Sequence, residues 1–384
     1  MNKNLKILIF FLISLLSFSL QPLTAAEKLK IGLLVPLSGD NKELGESIIK
    51  AARLAITDID EEKIEIIPKD TKSNPNKTLR SATELKNLGV KVVIGPVFHK
   101  NLIYLNDLND MIFLAFTNKT KDIPINIISS GININSQLNT IKKFIKSNDI
   151  KKTIFLIPNA NYKDEVERGI KFTKIKIKRK YIYDTEPTKL TKQIEKITNY
   201  KVRKQNLKDE IKRVENLNED NKEKILEKLK KRYTLGKTKF DSIIIADFDE
   251  GLKSVTTSLL YTDVSPKKKY FITLNQWFDK TLLNENGIQP IYFPSINLEN
   301  YETFKKEYFL KFKNNSNHIA FLTYDLVGLV YYLLYKNDFL IDDKLFKNKN
   351  IFKGKVGVFE IENNNINHKL NFYKIDNTKF KKIF

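Results

Sequence analysis

Apolar positions along this chain alternate between short unbroken runs and stretches that repeat at helical spacing. Leu29 to Leu37 (LKIGLLVPL) is a nearly continuous apolar run, the pattern of a central strand. The turn residues Ser38, Gly39, Asp40 and Asn41 follow it. From Glu43 to Ile59 the apolar side chains recur at Leu44, Ile48, Ala51, Ala52, Ala55 and Ile59, which predicts an amphipathic helix. Ile64 to Ile67 reads as a second strand. Asn74 and Pro75 then open a second helix, Asn as cap and Pro at the first helical position, which runs to Gly89. A third strand at Val90 to Ile94 is stopped by Gly95 and Pro96. A helix over Leu102 to Leu108 and a strand over Met111 to Phe116 complete the unit.

The alternation restarts after Gly131. Helices are predicted at Ser136–Lys146, Lys163–Phe172 and Gly251–Leu260, and strands at Thr153–Ile157, Ile175–Tyr183, Ser242–Ala246, Tyr270–Leu274 and Pro290–Phe293. Helices over Tyr301–Phe312 and Ala320–Tyr335 precede a closing hairpin of Val356–Ile361 with Leu370–Ile375. Strict alternation implies parallel sheets covered on both faces, joined by right-handed crossovers. The expected fold class is therefore α/β, with two Rossmann-like lobes, each a parallel sheet flanked by helices, joined by a hinge. The expected boundaries are 27–130 plus 296–352 for lobe 1 and 131–295 plus 353–384 for lobe 2. Functional loops belong at the carboxyl ends of the strands, facing the cleft between lobes.

One segment of the second lobe stands apart. Residues 206–235 are highly charged, with Leu207, Ile211, Val214 and Leu217 on one stripe and Ile225, Leu226 and Leu229 on another. Asn218 to Asn221 breaks them, so the segment reads as an inserted helical hairpin. Two amphipathic helices projecting from a lobe form either a solvated pair packed on that lobe or a surface for a protein partner.

The first 26 of the 384 residues carry a different signal. Lys3 and Lys6 precede an apolar stretch from Ile7 to Leu20, and the small residues Thr24, Ala25 and Ala26 precede Glu27. This is the order of a secretory signal peptide cleaved near Ala26, which places the mature chain in the periplasm. No later segment reads as long and apolar enough to span a membrane. The chain has no cysteine, hence no disulfide and no thiol for lipid attachment, and only three histidines, His99, His318 and His368, so a Cys/His zinc site is excluded in its usual forms. The formal charge of +22 is spread from end to end without clustered stacking aromatics, which argues against a nucleic-acid partner and leaves the chain peripheral to the membrane at most. No nucleophile elbow, phosphate loop or HExxH motif is present. The expectation is a non-enzymatic protein without metal or cofactor.

Several segments carry a family resemblance. KIGLLVPLSGDNKELGESIIKAARLAI (Lys30 to Ile56), VVIGPVF (Val92 to Phe98), MIFLAFTN (Met111 to Asn118), IFLIPNANYKDEVERGI (Ile154 to Ile170) and YDLVGLVYYLL (Tyr324 to Leu334) resemble, in order, segments of the type I periplasmic binding proteins of the leucine/isoleucine/valine-binding branch. Within that group, PVF after Gly95, AFTNKT (Ala115 to Thr120) and KRYTLGKTKFDSIIIAD (Lys231 to Asp247) are most similar to the penicillin-binding-protein activators (LppC-like). That resemblance implies a non-catalytic regulator which stimulates a peptidoglycan synthase, a penicillin-binding protein, by contact. The alternative it implies is the substrate-binding protein of an ABC importer, capturing an amino acid or another small polar solute for an ABC permease.

The resemblance also names the cleft. It implies that Ser38, His99, Ala115 and Thr117 line it from the first lobe, and Tyr162, Asp247 and Trp277 from the second. Amino-acid binders hold the ligand carboxylate partly through a hydroxyl after the third strand, where this chain has Pro96-Val97-Phe98-His99-Lys100. They place an acid for the ligand ammonium where it has Asn275-Gln276-Trp277. The carboxylate clamp is half present, and Asp247 is the acid available to stand in for the missing one.

Overall fold

A computed structural model describes residues 28–59, 64–218, 220–342, 344–355 and 357–384. The expected signal peptide and Val356 lie outside these residues. Two sheets organise the chain. The first contains β1 (Leu29–Val35), β2 (Ile64–Asp70), β3 (Val92–Ile94), β4 (Ile112–Ala115), β5 (Ile127–Ser129), β11 (Asn350–Lys353), β12 (Val358–Glu362) and β13 (Asn365–Lys369), in the order β11-β12-β13-β5-β4-β3-β1-β2. The second contains β6 (Thr153–Pro158), β7 (Arg179–Tyr183), β8 (Ser242–Ile245), β9 (Tyr270–Thr273), β10 (Ile291–Ser295), β14 (Asn371–Asp376) and β15 (Lys379–Lys382), in the order β15-β14-β10-β9-β8-β6-β7. The central strands of both sheets are parallel, and antiparallel hairpins are added at one edge of each.

Helices cover the sheets because their apolar stripes have nowhere else to go. In the first lobe these are α1 (Lys42–Ile59), α2 (Pro75–Asn87), α9 (Leu298–Phe312) and α10 (His318–Lys336). The expected start of α2 is present: Asn74 Oδ1 accepts from the Lys77 amide at 3.1 Å, and Pro75 begins the helix. By length and composition α10 would suffice to cross a membrane, contrary to the sequence expectation. Here it is a core helix packed along α1, with Phe321, Leu326, Leu329 and Leu333 buried. The second lobe carries α3 (Ile134–Ser147), α4 (Lys163–Thr173), α5 (Pro187–Ile197), α6 (Tyr200–Glu215), α7 (Lys222–Lys230) and α8 (Asp249–Tyr261).

The chain passes between the sheets three times, at residues 130–133, 296–297 and 370. Polar groups tie these crossings together. Asn133 Nδ2 donates to the Ile366 carbonyl at 3.1 Å, and the Leu298 amide donates to Tyr373 Oη at 3.0 Å. His368 Nε2 lies 3.0 Å from the Ser130 carbonyl, which can only accept, so the proton sits on Nε2. Burial pushes His368 down to about 4, which keeps it neutral.

Three expectations are corrected. The helix expected over Leu102–Leu108 is two 3-10 turns, His99–Leu102 and Leu105–Asp107. Leucines spaced by three face one side of a 3-10 turn as well as they face one side of a helix. The expected closing hairpin does not form: β12 pairs with β13 in the first sheet, and β14 pairs with β10 and β15 in the second. The cause is turn chemistry. Asn363 and Asn364 both take positive φ, as do Asn377 and Thr378, and two such residues in succession make the tight turn that a hairpin prefers. Consequently residues 358–369 belong to the first sheet, whereas the boundaries read from sequence assign 353–384 to lobe 2.

The inserted helices occur as α6 and α7, beginning at Tyr200 instead of residue 206. Their two stripes meet in a small separate core of Leu207, Val214 and Leu229, with Ile211, Leu217, Ile225 and Leu226 around it. Arg203 fastens this hairpin to the lobe. Only 5% exposed, it donates from Nε to the Thr198 carbonyl at 3.0 Å, from Nη1 to Thr234 Oγ1 at 3.0 Å, and from Nη2 to the Thr262 carbonyl.

Candidate functional site

The parallel strands end on the cleft, so the loops after β1, β3, β4, β6, β8 and β9 set its chemistry. After β1, Ser38 donates to Asp70 Oδ2 at 2.6 Å, and the Leu37 amide donates to Asp70 Oδ1 at 2.8 Å. Burial would raise the Asp70 carboxyl, but Ser38 and the Leu37 and Lys72 amides hold it below its usual range. The hydroxyl of Ser38 is therefore committed to its own lobe, through a partner at the end of β2 that sequence reading did not single out.

After β3 the backbone turns at Gly95, whose φ of +109° and close approach to the Leu34 carbonyl exclude a side chain. The turn delivers His99 to within 3.4 Å of Thr117 Oγ1, through Nδ1. Burial, and then Lys119, lowers the His99 pKa, so the ring is neutral near pH 7. Thr117 Oγ1 also accepts the Lys119 amide at 3.2 Å, and its carbonyl accepts Ser129 Oγ at 2.8 Å. Ala115 is fully buried, and its carbonyl accepts both the amide and the hydroxyl of Ser130. The polar atoms of Ala115 and Thr117, the residues of the expected half-clamp, are thus engaged by His99, Lys119, Ser129 and Ser130 of the same lobe.

The second lobe brings Tyr162 and Asp247 together. Asp247 follows β8, is 8% exposed, and sits against Gly251, where a Cβ would lie 2.4 Å from Oδ1. Its Oδ1 accepts from the Phe248 amide at 2.9 Å and from Tyr162 Oη at 3.4 Å, and its Oδ2 accepts from Tyr183 Oη. Burial raises the pKa of both phenols, and the adjacent carboxylate raises them further, so both stay protonated and donate. Tyr183 was missed at the sequence level; it ends β7, and only the pairing of β6 with both β7 and β8 places its hydroxyl beside Asp247.

Among the contacts between the lobes, two involve the cleft-side loops. Trp277, on the loop after β9, stacks on His318 at the start of α10, with ring centroids 4.6 Å apart. Trp277 and Phe278 both occupy the left-handed region, a strained choice for large side chains. Asn275 Oδ1 supports the turn by accepting the Trp277 amide at 3.0 Å, and Phe278 is packed among Phe293, Tyr373 and Phe380. Burial lowers the His318 pKa, leaving a neutral ring for the stack. The other contact is a polar latch. The amide and hydroxyl of Thr120, on the loop after β4, donate to Glu165 Oε1 on α4 at 3.3 and 3.0 Å, and Arg168 Nη2 donates to Glu165 Oε2 at 2.6 Å. Neither Thr120, Glu165 nor His318 was among the residues expected in the cleft.

The geometry thus groups His99 with Thr117 and Tyr162 with Asp247, while Ser38, Ala115 and Trp277 each bond or stack elsewhere along the cleft edge. Among the described residues no group of three or more His, Asp or Glu is placed to hold a metal ion.

Two α/β lobes joined by three crossings, with a cleft at the carboxyl ends of parallel strands, define the fold of the type I periplasmic binding proteins. Residues 28–172 match the periplasmic binding protein family, which covers the first run of the first lobe and the opening of the second. Among solved structures the chain is similar to the C-domain of LpoA (YraM) from Haemophilus influenzae, a regulator of PBP1A, at 15% identity and a TM-score of 0.60, covering 92% of this chain and 100% of that domain. Against full-length LpoA of the same organism it covers 93% of this chain and 59% of that one, at 15% identity and a TM-score of 0.59. It is similar to the same degree to an ABC transporter substrate-binding protein from Desulfitobacterium hafniense in complex with Leu, at 13% identity and a TM-score of 0.61, covering 93% and 100% of the two chains. No curated protein matches the sequence.

Proposed function

We propose that this protein is a non-enzymatic, extracytoplasmic regulator of peptidoglycan synthesis that acts by contact with a penicillin-binding protein. The observation that carries this reading is the commitment of Asp247. A receptor for amino acids needs a carboxylate free to meet an ammonium group, and the one acid among the seven expected cleft residues already accepts from two tyrosines and a backbone amide. A ligand ammonium would have to displace those donors from a nearly buried site, at a cost of about 1.5–3 kcal/mol for each charged hydrogen bond lost. The Thr120–Glu165 latch and the Trp277–His318 stack support the same reading, because they join the lobes with the protein's own side chains. The likeness to the LpoA C-domain, a PBP1A regulator, agrees with it. Export through a signal peptide removed near Ala26, a periplasmic location without a lipid anchor, and the α6–α7 hairpin as the partner-facing element belong to the same proposal.

The alternative is a solute receptor that captures its ligand by closure of the lobes. A solved structure in complex with Leu shares the fold, and Ala115 and Thr117 are the first-lobe residues expected to meet a ligand carboxylate. The deciding experiment is direct binding of the mature chain to a purified bifunctional penicillin-binding protein immobilised on a biosensor surface, beside a variant lacking residues 200–235. Saturable binding by the mature chain that the shortened variant loses supports the regulator. Absence of binding by the mature chain, together with tight binding of an amino acid, would establish the receptor instead.

A further inference from the structure

The positive charge of this protein is not uniform in three dimensions. Two depressions of about 640 and 480 Å3 adjoin on the second lobe, meeting at Lys239 and Phe240 beside Thr238. They are lined by ten lysine or arginine side chains and one acid, Asp263. Over the whole chain the ratio is far lower, 67 basic residues to 45 acidic.

Topology explains the concentration. Lys152 precedes β6, Lys178 precedes β7, Lys239 lies three residues before β8, and Lys268 and Lys269 precede β9. These four strands are parallel, so their amino ends lie together at the end of the lobe opposite the cleft. The loops are stitched to one another there: Lys178 Nζ donates to the Lys239 carbonyl at 2.7 Å and Lys269 Nζ to the Phe240 carbonyl at 2.5 Å. The root of the α6–α7 hairpin adds Lys231, Arg232 and Lys237 to the same surface.

Little of this charge is neutralised. Among the described residues, Arg179, Lys196, Lys237, Lys239, Lys268 and Lys269 make no ion pair, whereas Lys231 is paired with Glu227. Burial lowers the Lys269 pKa, and although Asp241 opposes the shift, Lys237, Arg203 and Lys152 add to it.

The form of the array says what it fits. The one deeply buried cation, Arg203, spends its donors on Thr198, Thr234 and Thr262, so no enclosed cradle for a single small anion is built around it. The remaining charges are mostly exposed and spread over two shallow hollows. Two apolar side chains stand among them: Tyr233 is 78% exposed and Ile182 is 44% exposed. Basic side chains around an exposed tyrosine suit the boundary of a bilayer, where a ring sits at headgroup level and cations meet lipid phosphates.

We propose that this basic end of the second lobe is a peripheral docking surface for a bilayer rich in anionic phospholipid. Docking there holds the protein with its cleft, at the other end of the strands, turned away from the lipid. Each lysine or arginine at such a surface strengthens binding by about 1 kcal/mol, or roughly five-fold.

The test is flotation of the mature protein with vesicles of equal parts phosphatidylglycerol and phosphatidylcholine, beside vesicles of phosphatidylcholine alone. A variant carrying Lys237→Glu, Lys239→Glu and Lys268→Glu is compared with a control carrying Lys91→Glu, Lys306→Glu and Lys353→Glu on the first lobe. Both sets are exposed side chains, and circular dichroism of each variant checks that it is folded before flotation. The expected result is binding to the anionic vesicles alone, abolished near 1 M salt, where the Debye length is about 3 Å. The second-lobe variant should bind roughly a hundred-fold more weakly, from three charges at about five-fold each, while the control keeps most of its affinity. Equal binding to both vesicle types overturns the proposal, as does an equal loss in the two variants. Retention on immobilised polyphosphate with no flotation overturns it in favour of a soluble anionic polymer.

Discussion

Tyr183→Phe removes one oxygen from the cleft and nothing else. The ring is 1% exposed and remains packed in the core, so no cavity of consequence forms. What is lost is the hydroxyl that donates to Asp247 Oδ2, a hydrogen bond to a charged group contributing about 1.5–3 kcal/mol. For a lobe of this size that corresponds to a fall in melting temperature of roughly 3–12 °C. Tyr162→Phe removes a longer contact, 3.4 Å to Asp247 and 3.2 Å to the Ala246 carbonyl, and should cost about 0.5–1.5 kcal/mol. Both hydroxyls serve one carboxylate, so the double variant should depart from additivity by roughly 0.5 kcal/mol or more. Urea unfolding of the four proteins gives all three numbers. A cost below about 0.5 kcal/mol for Tyr183→Phe, with no coupling to Tyr162, would mean that Asp247 does not depend on the tyrosines, and the carboxylate would again be available to a ligand.

Other consequences follow from contacts elsewhere in the molecule. Glu165→Ala cuts the latch to Thr120, so the lobes should part, seen as a larger radius of gyration by small-angle scattering and a red-shifted emission from Trp277, the sole tryptophan. Arg203→Met strands the Thr198 and Thr262 carbonyls and should destabilise the second lobe by about 2–4 kcal/mol, with hydrogen exchange rising first across residues 200–235. His368 titrates near 6.5 when unfolded and about 4 when folded, so the unfolded chain takes up the proton first as pH falls. Stability from this group is complete above pH 6.5, declines through the window down to pH 4, and is lost below it, a total of about 3 kcal/mol; His368→Gln should flatten that slope in denaturation measured against pH.

The sequence revealed the α/β alternation because it depends on local periodicity. Central strands such as Leu29–Val35 are apolar but for Lys30, and helices such as Lys42–Ile59 bear one buried stripe. The insertion was legible for the same reason: Leu207, Ile211, Val214 and Leu217 repeat at helical spacing and meet Leu229 across the hairpin. The chain's C-terminal sheet edges were misread because two-residue turns of Asn363-Asn364 and Asn377-Thr378 leave only a faint mark between polar strands. Candidate site residues were chosen where they end or follow a strand on the cleft side. Their partners were not, because Tyr183 reaches Asp247 from a strand 64 residues away in sequence, and Glu165 reaches Thr120 from the other lobe. Such juxtapositions arise from sheet order, which no local pattern encodes.

The most direct test of the central claim, that the cleft is occupied by the protein's own side chains, is thermal unfolding of the mature protein against a panel of amino acids, short peptides and cell-wall fragments. A specific ligand at a hundred times its dissociation constant would add about 2.7 kcal/mol of stability. The account predicts no such shift with any free amino acid, since Asp247 and Thr117 are already bonded within their own lobes. A clear rise in melting temperature with one amino acid would contradict it and make the protein a solute receptor.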